Sequence, residues 1–143
     1  MAVEIHVTVQ DQEVKALLAR LQARTGNLTP VMRTIGEIIR ESVMRNFEEE
    51  RAPDGQRWKP SLRAMLTGGK TLTDSANLRN RFNVRASRDR VSVGTEVIYA
   101  AIHQFGGKAG RGRKVNLPAR PFLGVRDKDW TEIKAAVGDY LTR

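Results

Sequence analysis

The chain has 143 residues, of which 40% are hydrophobic, and this favours one folded domain around one core. It contains no cysteine, which excludes disulfides, thiolate catalysis and cysteine-ligated zinc. No apolar run approaches the length of a membrane span, and the alternating N-terminus does not resemble a signal peptide. We therefore expect a soluble, intracellular protein without a membrane partner.

The net charge of +9 is concentrated in the middle of the chain. Residues 51–126 carry 16 basic and 4 acidic side chains, a net charge of +12, whereas residues 1–50 and 127–143 are slightly acidic. Such asymmetry points to a nucleic acid or an acidic protein surface as a partner. General solubility is the plainer explanation, because net charge says little about fold or partner.

The first third of the sequence predicts one strand and two helices. Alternating valine and isoleucine over residues 3–9 indicate a half-buried strand. Asp11 can cap a helix that Gly26-Asn27 ends, and its apolar face comprises Val14, Leu17, Leu18 and Leu21. Thr29-Pro30 can start a second helix, whose stripe comprises Val31, Ile35, Ile38, Ile39, Val43 and Phe47. Gly36 interrupts that stripe and predicts a close approach by another backbone.

The remainder of the sequence predicts a turn, a hairpin and two more helices. Ala52-Pro53-Asp54-Gly55 is a strong turn signal, while residues 61–72 are weakly patterned and contain the flexible pair Gly68-Gly69. Thr73 or Asp74 can cap a short helix that carries Leu78. Alternation on both sides of residues 87–90 predicts an antiparallel hairpin, from Phe82, Val84 and Ala86 to Val91, Val93, Thr95 and Val97.

Two helices complete this pattern. Residues 98–105 suit a short helix that Gly106-Gly107 ends, and Asp127 can cap a last one with the stripe Trp130, Ile133, Val137 and Leu141. Together, the predicted strands and helices indicate an α+β fold. We expect an antiparallel sheet of three or more strands with two longer helices packed on one face, as a single domain over residues 1–143.

Residue patterns that support catalysis or cofactor binding are missing. Gly69-Lys70-Thr71 resembles the end of a phosphate-binding loop, but Ala64 occupies the first glycine position of that motif. Gly110-Arg111-Gly112 starts a dinucleotide fingerprint, but Val115 stands at the third glycine. His103 lies in an apolar short helix, which favours a hydrogen-bonded structural histidine over a catalytic one. We predict no enzyme activity, cofactor or metal.

The most informative stretch is Tyr99 to Gly124, where two apolar blocks flank a basic, glycine-rich segment. That segment, Lys108–Asn116, is predicted to be a flexible loop that cannot bury itself. The apolar groups Tyr99, Ile102, Phe105, Phe122 and Leu123 are expected in the core. Candidate assembly or DNA contacts are Lys108, Arg111, Arg113, Lys114 and Arg120. The candidate structural motif comprises Tyr99, His103, Gln104, Phe105, Gly106, Pro118, Pro121 and Phe122.

Four blocks along the chain occur in a distinctive order: F-x-x-E with P-D-G-x-x-W-x-P, L-x-x-S-x-x-L-R-x-x-F, V-x-V-G-T, and Y-A-A-I-H-Q-F-G-G followed by L-P-A-R-P-F-L-G. They begin at Phe47, Leu72, Val91 and Tyr99 and end at Gly124. This order resembles the phage virion morphogenesis family, the tail-completion group of Mu-like and related tailed phages and prophages. The resemblance covers nearly the whole chain, and Ala76, where glycine is expected, is a departure from it.

The resemblance implies a non-enzymatic virion structural or assembly protein that acts at the head–tail junction or tail end, as a tail-completion, neck or terminator protein. Its implied partners are further copies in a homo-hexameric ring, neighbouring neck or tail proteins, and DNA in the channel. It implies a location in the virion, and in the host cytoplasm during assembly. The alternative is a sequence-independent nucleic-acid-binding domain, although no basic recognition helix or paired aromatic platform is present.

Overall fold

The structure of the chain is a computed structural model that describes residues 3–6, 12–73 and 78–143. Within these residues it contains five α-helices: α1 Gln12–Thr25, α2 Thr29–Glu49, α3 Leu62–Thr67, α4 Ala100–Phe105 and α5 Asp127–Leu141. The strands are β1 Val3–His6, β2 Asn83–Ala86, β3 Val91–Thr95, β4 Gly107–Ala109 and β5 Val115–Leu117. The predicted α+β class is confirmed. None of the described helices combines the length and the apolar character that a membrane span requires.

The strands pair in two groups. In the first, β1, β3 and β2 lie side by side in that order, with hydrogen bonds between neighbours. The predicted turn between β2 and β3 is confirmed, because the Ser87 backbone N–H donates to the Arg90 carbonyl at 2.8 Å. In the second group, β4 pairs antiparallel with β5. Val7, Val9 and Asp11, which the sequence assigned to the first strand and a helix cap, lie outside the described residues.

The start of α2 shows which residue caps this helix. The Asn27 side chain accepts from both the backbone N–H and the hydroxyl of Thr29, at 3.0 and 2.7 Å. Thr29 is already the first residue of α2, and the Met32 N–H donates to the Leu28 carbonyl at 2.8 Å. The predicted start of the second helix at Thr29-Pro30 is therefore confirmed, and the Asn27 side chain provides the oxygen that satisfies the Thr29 N–H group.

Gly36 lies in the middle of α2, against the β2–β3 hairpin. A Cβ atom at this position would stand 2.3 Å from Val84 Cγ1 and 2.7 Å from Val91 Cγ2, both too close for real contacts. The predicted close approach is present, but side chains of the hairpin make it rather than a second backbone. Glycine here lets the helix lie directly on two branched residues.

The end of α2 adopts a left-handed cap without a glycine. Glu50 has φ of 54°, and the Arg51 N–H donates back to the Asn46 carbonyl at 3.0 Å. Two contacts hold this disfavoured conformation: the Glu50 carbonyl accepts from Trp58 N–H and its carboxylate accepts from Thr71 N–H, both at 2.8 Å. The predicted turn that follows is confirmed, with Gly55 N–H donating to the Ala52 carbonyl at 2.9 Å.

Helix α3 is a finding that the weak pattern of residues 61–72 did not predict. The Ser61 hydroxyl caps its start by accepting from Ala64 N–H at 3.1 Å. Gly68, with φ of 74°, ends the helix and donates its N–H to the Ala64 carbonyl. Asp74, predicted to cap the next helix, lies outside the described residues, while Leu78 is buried in a turn.

The chain forms two compact units. Among the described residues, unit 1 comprises 3–4, 43–73, 78–82 and 94–124, and unit 2 comprises 5–6, 12–42, 83–93 and 125–143. In unit 2, α1 packs against α5. Lys134 and Glu13 form an ion pair at 3.2 Å between these helices, and the Thr34 and Tyr140 hydroxyls lie 3.1 Å apart.

The start of α5 corrects the prediction that Asp127 caps this helix. The Asp129 carboxylate accepts from the Arg126 backbone N–H at 2.7 Å, whereas Asp127 is the first, exposed residue of the helix. Asp129 is buried, and its acceptor role offsets the cost of removing a carboxylate from water. The Arg126 guanidinium Nε donates to the Ser42 hydroxyl at 3.1 Å. The predicted stripe of α5 is present, with Ile133 and Val137 fully buried.

Candidate assembly site

Residues 117–124, the anchor segment, are held beside α4 by one side chain that takes the place of a strand partner. Gln104 Oε1 accepts from the backbone N–H groups of Phe122 and Leu123, each at 3.1 Å. Its amide Nε2 donates to the Leu123 carbonyl at 3.2 Å. Backbone groups removed from water need such partners, so Gln104 stabilises an extended segment that has no ladder of its own there.

Three further hydrogen bonds fix the anchor segment within unit 1. The Trp58 indole Nε1 donates to the Pro121 carbonyl at 2.7 Å. The Asn46 amide Nδ2, on a fully buried side chain of α2, donates to the Phe122 carbonyl at 2.8 Å. The Arg120 N–H donates to the His103 carbonyl at 2.8 Å. The segment is thus bonded to α2, to α4 and to the chain after the 52–55 turn.

Phe122 joins the anchor segment to an aromatic cluster. This side chain is fully buried, with its ring centroid 5.2 Å from that of Phe47 and 5.6 Å from that of Phe82. Phe47 also meets Trp58 edge-on at 5.4 Å. Buried aromatic pairs at such separations add to the stabilisation from apolar burial. The cluster, Phe47, Trp58, Phe82 and Phe122, is the core of the anchor region.

Two glycines allow the backbone to come close to the anchor segment. At Gly106, with φ of 73°, a Cβ atom would lie 2.7 Å from the Ala119 backbone nitrogen and 3.0 Å from the Leu117 oxygen. At Gly124, a Cβ atom would lie 2.7 Å from Pro53 Cγ. The H-Q-F-G-G block and the P-D-G turn therefore both pack closely against this segment.

Arg120 is buried within the anchor segment, and the half-buried His103 of α4 lies near its charge. Arg120 is 6% exposed, and its Nε donates to the Lys59 carbonyl at 2.7 Å. Burial lowers the pKa of the His103 imidazole, and the nearby Arg120 charge lowers it further. Among the described residues, the buried His103 Nδ1 has no hydrogen-bond partner, so the predicted hydrogen bond of this ring is not made through that atom. The described residues contain no group of three or more histidine or carboxylate side chains placed to bind a metal.

The basic segment between the two apolar blocks forms a paired structure, the basic hairpin, residues 107–117. Its register joins Gly107 to Leu117, Lys108 to Asn116 and Ala109 to Val115. A 3-10 turn at Arg111–Arg113 closes it, and Gly112 within that turn has φ of 72°. The segment that was predicted to be a flexible loop thus pairs with itself and satisfies part of its backbone internally.

The candidate contact residues separate into two environments. Lys108, Arg111 and Lys114 are exposed on the basic hairpin. Arg113 lies in its turn, and the structure describes only the backbone of this residue. Arg120 belongs to the buried anchor instead, which argues against a surface role for that residue.

The candidate structural motif separates in the same way. Gln104, His103, Gly106, Pro118, Pro121 and Phe122 lie at the anchor segment or contact it. Phe105 is 73% exposed, and Tyr99 is 44% exposed with its ring edge-on to His103. The expectation that both would pack in the core was therefore wrong.

Comparison with known proteins agrees with this arrangement of blocks. The model of the phage virion morphogenesis family matches residues 9–142. A Mu-like prophage FluMu G protein 2 of Haemophilus influenzae is 40% identical over 130 residues, covering 91% of this chain and 90% of the relative. The chain belongs to the phage virion morphogenesis family. No solved structure matches it significantly.

Two other relatives of this family member come from phages of Escherichia. Tail completion protein S of Escherichia phage P2 is 29% identical, with 92% of this chain and 99% of that protein covered. An Escherichia phage Mu protein named for capsid assembly is 26% identical, with 96% and 94% covered. The similarity therefore extends over whole chains rather than over one shared motif.

Two features of this virion morphogenesis protein were not predicted as site residues. Asn46 occupies the buried face of α2 one turn before Glu50, and an amide within an apolar stripe is a recognisable sign of a buried polar contact. Leu62, Met65 and Leu66 are 70%, 70% and 76% exposed on one face of α3. Their i, i+3 and i+4 spacing was present in the sequence, but it normally indicates a buried face.

Proposed function

We propose that this chain is a structural assembly protein of a tailed phage or prophage that acts at the head–tail junction or the tail end. The observation that carries the proposal is the family match over residues 9–142, together with relatives named for tail completion and capsid assembly. The protein works by binding other virion proteins. In this proposal it resides in the virion, and in the host cytoplasm while particles assemble.

His103 is the best candidate for a catalytic base, and its surroundings support a role without catalysis. His103 lies near the Arg120 cation, and within the described part of the chain its enclosed Nδ1 has no partner, so no carboxylate there orients the imidazole through that atom. The anchor residues that surround it bind backbone groups of this chain. We therefore assign these residues to the stability of the protomer and not to a reaction.

The proposed assembly is a closed ring of six copies around the DNA channel. Ring subunits need two different surfaces that bind each other head to tail. Exposed apolar side chains occur both on α3 and around the basic hairpin, which supplies two such surfaces. The neighbouring neck or tail proteins would bind the two faces of the ring.

The proposed protomer is an antiparallel sheet of three or more strands with two longer helices on one face. Its support is the strand order β1-β3-β2 and the close contact of Gly36 in α2 with Val84 and Val91 of the hairpin. Helices on one face leave edges and loops of the sheet free for contacts between subunits.

A deletion of the gene tests the proposed location. We expect phage-producing cells that lack this protein to accumulate separate heads and tails, because the connection between them is incomplete. Electron microscopy of lysates and plaque counts measure this outcome, with the wild-type gene on a plasmid as the control. Intact, infectious particles at wild-type yield would contradict the proposal.

The basic hairpin is the proposed contact of this protein with its neighbours or with DNA. We expect Lys108→Gln, Arg111→Gln and Lys114→Gln together to lower the phage yield by at least about tenfold, the size of a lost contact of about 1.4 kcal/mol. The matched control replaces three exposed cations of unit 2, Lys15, Arg20 and Arg33, by glutamine. Equal yields from the two triple variants would remove the hairpin from the proposal.

A sequence-independent nucleic-acid-binding function is the second candidate, and one observation favours it. Three exposed cations stand on a hairpin within a stretch, residues 97–126, that contains no acidic residue. Phosphate contacts make affinity fall with salt, with a logarithmic slope of about −0.9 for each contact on duplex DNA. Filter binding across salt concentrations separates the candidates. Tight binding by the monomer with a slope near −3 would favour this one.

A further inference from the structure

The basic hairpin carries three cations that the described part of the chain leaves without a partner. Lys108, Arg111 and Lys114 are exposed, and no side-chain hydrogen bond or ion pair joins any of them to a described residue. Lys70, a cation elsewhere in unit 1, instead donates to the Glu48 carbonyl at 2.7 Å. The charge of the hairpin is therefore open to another molecule.

These three cations lie on one small surface, the basic tip, residues 108–114. Lys108 pairs with Asn116 across the hairpin, and paired residues of an antiparallel ladder lie on the same face. Lys114 stands two positions before Asn116, so the alternation of side chains places it on the face of Lys108. Its aliphatic stem lies against the turn, because a Cβ atom at Gly112 would be 3.6 Å from Lys114 Cε. Arg111 belongs to the same turn.

The backbone of the basic tip adds a second feature that suits an anion. Gly112 is left-handed, with φ of 72° and ψ of 12°, and it lies between the helical residues Arg111 and Arg113 of the 3-10 turn. Such alternation turns successive N–H groups toward one side, where they form a concave site for anions. Gly110 and Gly112 carry no side chain, so a ligand can come close to this backbone.

The base of the hairpin is held in place by the rest of unit 1. Gly107 pairs with Leu117, the first residue of the anchor segment, and the Gly106 N–H donates to the Ile102 carbonyl of α4 at 2.7 Å. A hairpin that is already ordered loses less conformational entropy on binding than a flexible loop does. The basic tip is therefore a preformed group of charges.

The composition of the basic tip favours phosphate over a protein surface as its ligand. Residues 108–114 contain no apolar side chain larger than alanine, and residues 97–126 contain no carboxylate side chain. Protein–protein interfaces are enriched in aromatic side chains and methionine, and they are depleted in lysine. Contacts to the nucleic-acid backbone, by contrast, come mainly from lysine, arginine and backbone N–H groups.

We propose that the basic tip binds the phosphate backbone of duplex DNA without reading its sequence, with Lys108, Arg111 and Lys114 each contacting one phosphate. The proposal rests on the proposed function, in which the hairpin meets a neighbour or DNA, and it assigns that contact to DNA. One copy binds weakly, with a Kd of about 10⁻⁴–10⁻⁶ M at physiological salt, and several copies in one particle raise the combined affinity. Weak binding by one copy distinguishes this contact from a free nucleic-acid-binding domain.

A DNA-binding titration at two salt concentrations tests the proposal. The full-length protein is added to a fluorescein-labelled duplex of about 30 base pairs, and anisotropy is measured at about 50 and 200 mM NaCl. Three phosphate contacts weaken binding about 40-fold over this range, because each adds about −0.9 to the logarithmic slope. The triple variant Lys108→Gln, Arg111→Gln and Lys114→Gln should lose this part of the slope and bind at least about tenfold more weakly at the lower salt concentration.

The matched control removes the same charge from unit 2, at Lys15, Arg20 and Arg33. We expect its salt slope to stay within about 0.5 of the wild-type value, because no phosphate contact is lost. Equal changes in the two triple variants would show attraction by net charge alone and would overturn the proposal. A preference of more than about tenfold for one of two unrelated duplex sequences would contradict recognition through phosphates.

Inorganic phosphate distinguishes a DNA contact from a site for a small anion. At equal ionic strength we expect sodium phosphate to displace DNA no better than sodium chloride, since a free phosphate replaces only one of three linked contacts. Displacement by phosphate at concentrations where chloride has no effect would assign the tip to a small anion and overturn the DNA contact.

The role of the turn backbone has its own test, in which every charge stays in place. Asparagine tolerates the left-handed conformation of Gly112, whereas a β-branched residue does not. We expect Gly112→Val to bind the duplex at least about threefold more weakly than Gly112→Asn, because the N–H groups of the turn no longer converge. Equal affinities would exclude the turn backbone from the site.

Phage yield, measured on the same hairpin triple variant, separates this inference from the proposed function. A lower yield together with wild-type DNA affinity and salt slope would assign the hairpin to a protein partner, which rejects this inference and leaves the proposed function standing. Intact particles from phage that lack the gene would reject the proposed function, even where the purified protein binds DNA through the basic tip. A loss of both DNA binding and yield in the hairpin variant, but not in the unit 2 control, is the expected result.

Discussion

The anchor segment and the basic hairpin are neighbours in sequence and meet at Leu117. They nevertheless differ in where their backbone hydrogen bonds go and in whether their side chains are buried. The anchor segment gives its backbone groups to Gln104, Asn46 and Trp58 and inserts Phe122 into an aromatic cluster. The hairpin pairs with itself and exposes Lys108 and Val115. The difference teaches that one part of this block builds the protomer, while the other part stays exposed at its surface.

Two pairs of similar residues make the comparison concrete. Arg120 and Lys108 are both cations of the same block, but Arg120 is buried and donates to the Lys59 carbonyl. Phe122 and Phe105 are both aromatic, but one is fully buried and the other 73% exposed. Residue type therefore fails to separate a buried, stabilising side chain from an exposed one, and location in the fold decides it.

The largest expected effect is the loss of Phe122. We expect Phe122→Ala to lower the free energy of unfolding by about 3–5 kcal/mol, because a fully buried ring leaves a cavity among Phe47 and Phe82. Phe105→Ala is the matched control and should change it by less than about 0.5 kcal/mol. Urea unfolding followed by circular dichroism measures both. Similar losses for the two variants would erase the distinction between the regions.

The second expected effect concerns Gln104, whose side chain bonds the backbone of the anchor segment in place of a neighbouring strand. Gln104→Met keeps the length of the side chain but leaves the Phe122 and Leu123 N–H groups and the Leu123 carbonyl without it. We expect a loss of about 3 kcal/mol, since each unsatisfied group costs about 1–3 kcal/mol when buried. The same change at Gln22, which is exposed, is the control. A Gln104→Met protein as stable as this control would show that the three bonds are dispensable.

The third expected effect compares glycines of the two regions. Gly106 and Gly110 have similar positive φ values, 73° and 79°, so alanine strains both backbones. Only at Gly106 would the new Cβ atom collide with backbone, whereas at Gly110 it would meet a Val115 methyl at 3.4 Å. Gly106→Ala should therefore cost about 2 kcal/mol more than Gly110→Ala, in line with overpacked sites. Thermal unfolding of both variants measures the difference, and equal shifts would contradict the close approach.

The smallest expected effect is a pH dependence from His103. Burial and the Arg120 charge hold its pKa in the folded protein below the ordinary value of 6.5. The unfolded chain thus binds the proton more readily, so stability is retained above pH 6.5 and falls as the pH drops below that value towards the folded pKa. Comparing melting temperatures of the wild type and His103→Asn between pH 7.5 and 5 isolates this contribution. An equally steep decline in both proteins would exclude His103 as its source.

Periodicity predicted the elements whose burial follows a regular stripe. The α2 stripe and the β2–β3 hairpin both have apolar residues at the spacing that their burial requires, and both were found where expected. Helix α3 was missed because its apolar face is exposed and only Ala64 is buried. The basic hairpin was missed because three-residue strands among glycines carry no detectable alternation.

Residue type predicted part of the candidate site, and long-range contacts explain the rest. The exposed cations of the hairpin could be identified from composition, because a basic, glycine-rich segment has little apolar area to bury. The burial of Arg120 depends on the Lys59 carbonyl, 61 positions away, and nothing near Arg120 indicates it. Likewise, Glu50 ends α2 with a positive φ that its residue type disfavours, and the stabilising N–H groups belong to Trp58 and Thr71.

The hydrogen bond from Trp58 to Pro121 also gives this chain an internal fluorescent reporter. The chain has two tryptophans: Trp58 is buried in unit 1 and Trp130 is partly buried in unit 2. An indole that leaves an apolar, hydrogen-bonded environment for water shifts its emission to the red. Trp130→Phe therefore leaves a signal for the melting of unit 1 alone, and Trp58→Phe leaves one for unit 2. Coincident or separate transitions in the two variants tell whether the protomer loses its units together or in succession.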